Sequence, residues 1–188
     1  MVRDGAHEVK VLLDELGIAS FAKATASRGI HIYVHAGGDL DSYKVRDCAV
    51  TLARAMGTRR PDLRTWRWWK EGRGERVFID YNQNAPHKTV FGAWGVRATQ
   101  DARVSAPFTW DELPTVEIGD LTIATVPARL ASNGDPWAAM YDAPQSLQPL
   151  PAMHPVDLTH GMLEPPRAPL SPMQPNEPPH LRPTPRDK

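Results

Sequence analysis

Proline placement constrains this chain more than any other feature. Of its 19 prolines, 13 fall between Pro144 and Pro185. Proline lacks an amide donor and fixes φ, so a segment this rich in it cannot pair into a sheet or sustain a long helix. Residues 143–188 therefore read as an extended, polyproline-like C-terminal tail. Its one helical stretch is Val156–Leu163, and two alternatives stand: a disordered tail, or one that packs over the domain with Leu147, Leu150, Met153, Leu158 and Leu163 as anchors.

The fold must then come from residues 1–142, about the size of one ordinary domain. Two periodicities alternate there. Val9, Leu12, Leu13 and Leu16 recur at i, i+3, i+4 and i+7 and Gly17 follows, which predicts a helix over 6–16. Ile18–Thr25 and Ile30–Ala36 predict strands around a tight turn at Ser27-Arg28-Gly29. Asp41 or Ser42 caps a second helix, with Val45, Cys48, Ala49, Leu52 and Met56 on one face and Gly57 at its end. Further strands are predicted at about 65–69, 76–81 and 89–97. A short helix opens at Thr109, and another covers 126–132 before Gly134. Helices mixed with strands on short turns predict an α+β domain with a mixed or antiparallel sheet.

Charge and cysteine usage narrow the function by exclusion. Twenty-two basic residues balance 22 acidic ones, so a polyanion site must be a local cluster and not a global field. The single cysteine, Cys48, rules out an internal disulfide framework and a multi-cysteine zinc site, and it suits a reducing compartment. No apolar run approaches the ~20 residues of a membrane span, and residues 1–10 contain no signal-peptide core. A soluble, cytoplasmic chain is the expectation. His31 and His35 would lie ~13 Å apart on a strand, too far to share a metal, which argues against a zinc hydrolase. There is neither a G-x-S-x-G elbow nor a G-x-x-x-x-G-K-[ST] loop.

Three constellations carry chemistry. In Lys23–Val34 a strand ends in a small-residue turn with a hydroxyl and cations, and a β-branched strand then starts near a histidine. The turn amides with Thr25, Arg28 and His31 suit a phosphate oxyanion; the alternative is an ordinary turn beside a structural histidine. In Arg76–Asn84, strand alternation puts Phe78 and Asp80 on one face, so Asp80 stands among large apolar groups and needs a divalent metal or a cation such as Arg97. Between Arg59 and Arg76, seven basic residues are interleaved with Trp66, Trp68 and Trp69. Arg67, Trp68, Lys70 and Arg73 there suit nucleic-acid backbone tracking and base stacking; the alternative is a solvated hairpin.

The first two motifs together resemble the primase-polymerase domains of the archaeo-eukaryotic primase superfamily, in the bacterial branch associated with ligase D and end joining. That family carries K-[TS]-[ST]-G-x-[KR]-G-[LI]-H-[VI]-x-V, matched by Lys23–Val34. About fifty residues later it carries R-[VI]-[FY]-[IVL]-D-[YF]-x-Q-N, matched by Arg76–Asn84. Lys88-Thr89-Val90 and Trp94–Arg97 resemble its K-T-V and S-V-R segments. Val104-Ser105, Thr109–Leu113, Thr122–Leu130 and Gly134–Trp137 resemble its later blocks, and Pro175–Pro179 resembles the end of its stand-alone members.

The resemblance implies a primase-polymerase catalytic core with a mixed or antiparallel sheet and flanking helices. It implies nucleotidyl transfer, in which two divalent metals, magnesium or manganese, assist attack of a primer 3′-hydroxyl on the α-phosphate. Thr25, His31 and Arg97 would grip the incoming triphosphate, and Asp80 would be the catalytic residue present here, one of three metal-binding carboxylates. Implied partners are nucleoside triphosphates, DNA, and a ligase or other end-joining protein, at the nucleoid.

The chain departs from the pattern in one major way. The family's other two metal ligands form an Asp-x-Asp motif on a strand preceding the helix at 6–16, and nothing here matches it. Asp39-Leu40-Asp41 follows the His31 strand, and Asp41 is better placed as a helix cap. Residues 1–142 thus read as a partial domain, truncated at the N-terminus, with an incomplete metal site. A sheet edge left bare, an incompletely packed first helix and self-association are expected to follow. Ala26 replaces the turn glycine, His35 replaces a basic residue, and Gly95 replaces serine.

Overall fold

The first helix, α1 (Val2–Glu15), buries Val9, Leu12 and Leu13, the stripe set by the apolar spacing. It closes with a double hydrogen bond: Gly17 donates to the carbonyl of Asp14 and Ile18 to that of Leu13, both at 2.9 Å, with Gly17 at φ +68°. Only glycine enters that left-handed conformation without penalty, so the predicted stop holds. The helix starts four residues earlier than predicted, and its apolar face is packed, contrary to the expectation from the sequence.

The structure is a computed structural model that describes residues 1–38, 40–66, 71, 73–86 and 88–153. These residues belong to one compact unit, Met1–Val156. Strands β1 (Phe21–Ala24) and β2 (Ile30–Tyr33) form an antiparallel hairpin, with Lys23 opposite His31 and Phe21 opposite Tyr33. Strand β5 (Pro107–Phe108) pairs with the other side of β1, giving a three-stranded antiparallel sheet in the order β2-β1-β5. The pleat separates the faces. Ala22 and Ala24 join Ala6 of α1, Ala106 and Phe108 in one core cluster, against which Ile30 and Ile32 pack. Lys23, His31 and Tyr33 point to the opposite face.

Helix α2 (Ser42–Arg59) is capped by Asp41, whose carboxylate accepts the amide of Lys44 at 2.8 Å. Contrary to the sequence reading, α2 runs through Gly57 to Arg59. The glycine is there for space: a Cβ at 57 would fall inside the Trp66 indole. Strands β3 (Arg64–Thr65) and β4 (Val77–Phe78) pair in parallel; β4 is shorter than the predicted 76–81, and residues 67–69 of the other predicted strand lie outside the described residues. Residues 89–97 form no strand; an isolated bridge, Val96 to Val104, and backbone bonds such as Arg97 N to Arg103 O at 2.8 Å tie them to residues 103–105. A short 3-10 turn, Trp110–Glu112, is closed by the Thr109–Glu112 capping box, and helix α3 (Val126–Asn133) stops at Gly134 as expected.

The expected tail begins inside the packed body. Gln145 pairs with Ala19 through both ends of its amide, and Leu147 and Leu150 are buried with Leu12, Leu13 and Met56. Helix α4 (Pro149–Met153) breaks the extended reading of this stretch. Proline at a helix's first position loses no hydrogen bond, because that amide has no partner anyway. The helical stretch foreseen at 156–163 lies outside the described residues. Among the described residues no helix is long and apolar enough to cross a membrane.

Candidate anion site on the polar face of the sheet

The turn after β1 is built around Thr25. Its hydroxyl accepts the amides of Gly29 at 3.1 Å and Ser27 at 3.3 Å, and its own amide donates to Gly29 O at 3.0 Å. Ala26, where the family pattern has glycine, sits at φ +57° and is buried. Alanine adopts the left-handed backbone here at a cost that glycine would not carry. Arg28 is exposed at the tip.

Arg97 reaches the same turn from a different segment. Its Nε donates to the carbonyl of Thr25 at 2.9 Å, and its guanidinium stacks on Phe91, 4.5 Å from the ring centre. This answers one alternative left by the sequence: Arg97 bonds to Thr25 and is not an ion-pair partner of Asp80. Gly95 permits the stacking, since a Cβ there would lie 2.9 Å from the Phe91 ring.

Below them lies Lys23, fully buried, a residue the sequence reading left out of the site. Its ammonium donates to Ser105 Oγ at 2.5 Å and to Phe91 O at 2.8 Å, and Ser105 Oγ donates to Ala24 O at 2.8 Å. Burial, with the Arg97 charge nearby, pushes Lys23 down to about 8. Across the hairpin, His31 is half-buried, and its Nδ1 is buried without a hydrogen-bond partner among the described residues. Burial and the positive charges of Lys23 and Arg97 hold His31 below its usual range, against the opposing pull of Asp80. Thr25, His31, Arg97 and Asp80 are thus brought into one electrostatic neighbourhood with Lys23. Tyr33 closes one end of the face by packing on Trp137, whose Nε1 donates to Ala22 O.

Asp80 differs from its expected setting. It lies just beyond β4 and is exposed, not buried among apolar groups, because the strand ends before it. Oδ1 accepts the amide of Asn82 at 2.9 Å, and Oδ2 accepts Gln83 Nε2 at 3.3 Å. Among the described residues no three His, Cys, Asp or Glu side chains cluster closely enough to hold a metal. The donors described here therefore do not fit a two-metal centre. His35 is occupied elsewhere, with Nδ1 2.8 Å from Met140 O.

Of the predicted nucleic-acid residues, Arg67, Trp68 and Lys70 lie outside the described residues, as does Asp39. Arg73 stacks on Phe78, 3.6 Å from the ring centre. Two grooves beside α4, lined by Leu40, Lys44, Leu147 and Gln148, include none of the predicted site residues.

Comparison with known proteins matches residues 1–137 to the family described as LigD, primase-polymerase domain. The multifunctional non-homologous end joining protein LigD of Mycolicibacterium smegmatis is 32% identical over 140 residues, covering 74% of this chain and 18% of that protein. The bifunctional non-homologous end joining protein LigD of Bacillus subtilis is 30% identical over 155 residues, covering 81% and 25%. The solved polymerase domain of Mycobacterium tuberculosis ligase D, in complex with DNA, superposes with a TM-score of 0.70 at 29% identity, over 76% of this chain and 50% of that one. The chain thus spans a quarter or less of these two curated relatives and half of the solved domain.

Proposed function

The chain belongs to the LigD primase-polymerase domain family, and on that premise we propose that it binds nucleoside triphosphate and DNA as a primase-polymerase module of non-homologous end joining. The observation that carries the reading is Arg97. Its Nε donates to the Thr25 carbonyl and its guanidinium lies on the Phe91 ring, which holds the positive charge beside the turn. A triphosphate at this turn would meet Arg97, Arg28 at the tip and His31 across the hairpin. Charge-assisted hydrogen bonds of this kind are the strong ones, and arginine's fixed fork suits phosphate.

DNA is assigned by this reading to the basic segment between Arg59 and Arg76, with Arg67, Trp68, Lys70 and Arg73 as the contacting residues. The named relatives act in end joining, so a ligase or other end-joining protein is the proposed partner. The proposed division is a nucleotide-binding domain over residues 1–142 with a proline-rich extension from 143, its first turns folded back on α1 and α2.

Divalent metal supplies the chemistry of nucleotidyl transfer when bound, and Asp80 is the residue offered to it. With no three-carboxylate cluster among the described residues, no transfer step is assigned to this chain. That same observation favours a second reading, a nucleotide- and nucleic-acid-binding module without catalysis of its own.

The test is calorimetric titration with a nucleoside triphosphate in the absence of divalent metal. Wild type is expected to bind, Arg97→Ala and His31→Ala to lose about tenfold each, and Asp80→Asn to bind as well as wild type or better. Equal affinity of Arg97→Ala and wild type would refute the site.

A further inference from the structure

We propose that Lys23 is a positioning residue of the triphosphate site: it fixes the segment that presents Arg97 over the turn and places a buried positive charge beneath the bound anion. This rests on the triphosphate reading above. The sequence gives no hint of it beyond a lysine at the start of a motif. The structure supplies three independent observations.

The first is burial without a counter-ion. Lys23 is 0% exposed, and its ammonium is held by a carbonyl and a hydroxyl, neither of them charged. A buried ammonium with no carboxylate beside it is costly, and a purely structural role at this position could be filled by a neutral side chain. The second is connectivity. Lys23 holds Phe91 O, the Phe91 ring supports the Arg97 guanidinium, and Arg97 Nε holds Thr25 O, two residues beyond Lys23 on the same strand and turn. The contacts close a ring that ties Arg97 to Lys23 and Thr25. The third is direction. Lys23 is the cross-strand partner of His31, so both side chains share the polar face.

The groups facing Lys23 are His31 and Tyr33 on β2 and Arg97 on the crossing segment; Tyr33 is held above its usual range by burial. Of these, Lys23 alone changes charge near pH 8. An anion arriving beside it favours the ammonium, so binding takes up a proton when pH is above about 8. Affinity then falls as pH rises through that value.

The experiment titrates the full chain with adenosine triphosphate, whose phosphates are fully ionised above pH 8, from pH 7 to 9.5, in buffers of different ionisation enthalpy, for wild type, Lys23→Met and Lys23→Arg. Expected is proton uptake by wild type above pH 8, about tenfold weaker binding by Lys23→Met at pH 7, and loss of the pH step. Lys23→Met should unfold at the same or higher denaturant concentration, since it removes a buried charge. Lys23→Arg should recover part of the affinity. A Lys23→Met protein that binds like wild type with the same pH step would overturn the inference and leave the triphosphate reading standing. Wild type that does not bind triphosphate would overturn both. Should Lys23→Met fail to fold, the proton count on wild type decides: no uptake between pH 8 and 9.5 refutes the proposal.

Discussion

Thr25 and Gly29 clasp the turn between β1 and β2 from both ends: the Thr25 hydroxyl accepts the Gly29 amide at 3.1 Å while the Thr25 amide donates to the Gly29 carbonyl at 3.0 Å. The hydroxyl also accepts the Ser27 amide. Its first duty is therefore to hold turn amides in place. Thr25→Val keeps the shape but removes the acceptor for two N–H groups. It is expected to lower unfolding free energy by about 1–2 kcal/mol, read from urea denaturation, while Thr25→Ser stays within about 1 kcal/mol of wild type.

Helix α1 is tied to β3 by a buried charge. Arg64 is 1% exposed and its Nη2 lies 3.3 Å from Glu8 Oε2. Gly5 leaves room for the guanidinium, since a Cβ there would come within 3.1 Å of its Nε. Removing the carboxylate strands a charge in the interior, which typically costs about 3–5 kcal/mol. Glu8 is partly open to water, which places Glu8→Ala near the lower end, and a denaturation midpoint unchanged from wild type would contradict this. The double variant Glu8→Ala/Arg64→Met should recover much of the loss.

Much of this architecture is legible in the sequence where local chemistry decides it. The α1 stripe, the Gly17 stop, the Asp41 cap, the Thr109 capping box and the hairpin around residue 27 all follow from patterns within a few residues. What fails depends on distant partners. Gly57 reads as a helix stop, yet it is helical because Trp66 needs its empty side. Residues 89–97 read as a strand from their apolar content, but they are held by irregular backbone bonds to residues 103–105 and by side-chain ties to Lys23 and Thr25. Asp80 has strand alternation on paper and lies beyond the strand's end. The grouping of Thr25, His31, Arg97 and Asp80 follows from the resemblance of their motifs to the family's; Lys23 has no such cue, because burial of a lysine leaves no sequence signal.

His31 makes stability depend on pH on the acid side. Burial, Lys23 and Arg97 hold its folded-state pKa below 6.5. The unfolded chain therefore takes up a proton at about pH 6.5, before the folded one does. The stabilisation is present above pH 6.5 and lost as pH falls through the folded value. His31→Gln should flatten the decline in thermal midpoint between pH 6.5 and 5; an identical decline in both proteins would exclude His31 as its source.

DNA binding through the basic segment should depend steeply on salt. Each phosphate contact contributes about −0.9 to the slope of log affinity against log salt concentration on duplex. Replacing Lys70 and Arg73 together with alanine should make the slope shallower by up to about 2, as followed by fluorescence anisotropy between 50 and 200 mM salt, conditions taken from the usual range for such contacts. A slope unaltered by the pair would place the contacts elsewhere.

Primer extension offers the sharpest division between the two functional readings. Divalent ions of this class take six or more oxygen ligands, with magnesium near octahedral geometry. Asp80 brings two oxygens, and both already accept hydrogen bonds from Asn82 and Gln83. No group of three or more His, Cys, Asp or Glu side chains forms around it among the described residues. A metal held there would bind weakly, and it would not fix a primer hydroxyl and an α-phosphate together. Residues 1–188 alone are therefore expected to give no template-dependent nucleotide addition with magnesium or manganese, while still binding triphosphate. Supplying in trans a segment with an Asp-x-Asp strand should restore addition, and Asp80→Ala should abolish what is restored. Robust addition by the chain alone, lost in Asp80→Ala, would reverse this conclusion and direct the search for further ligands to Asp41 and its neighbour at 39.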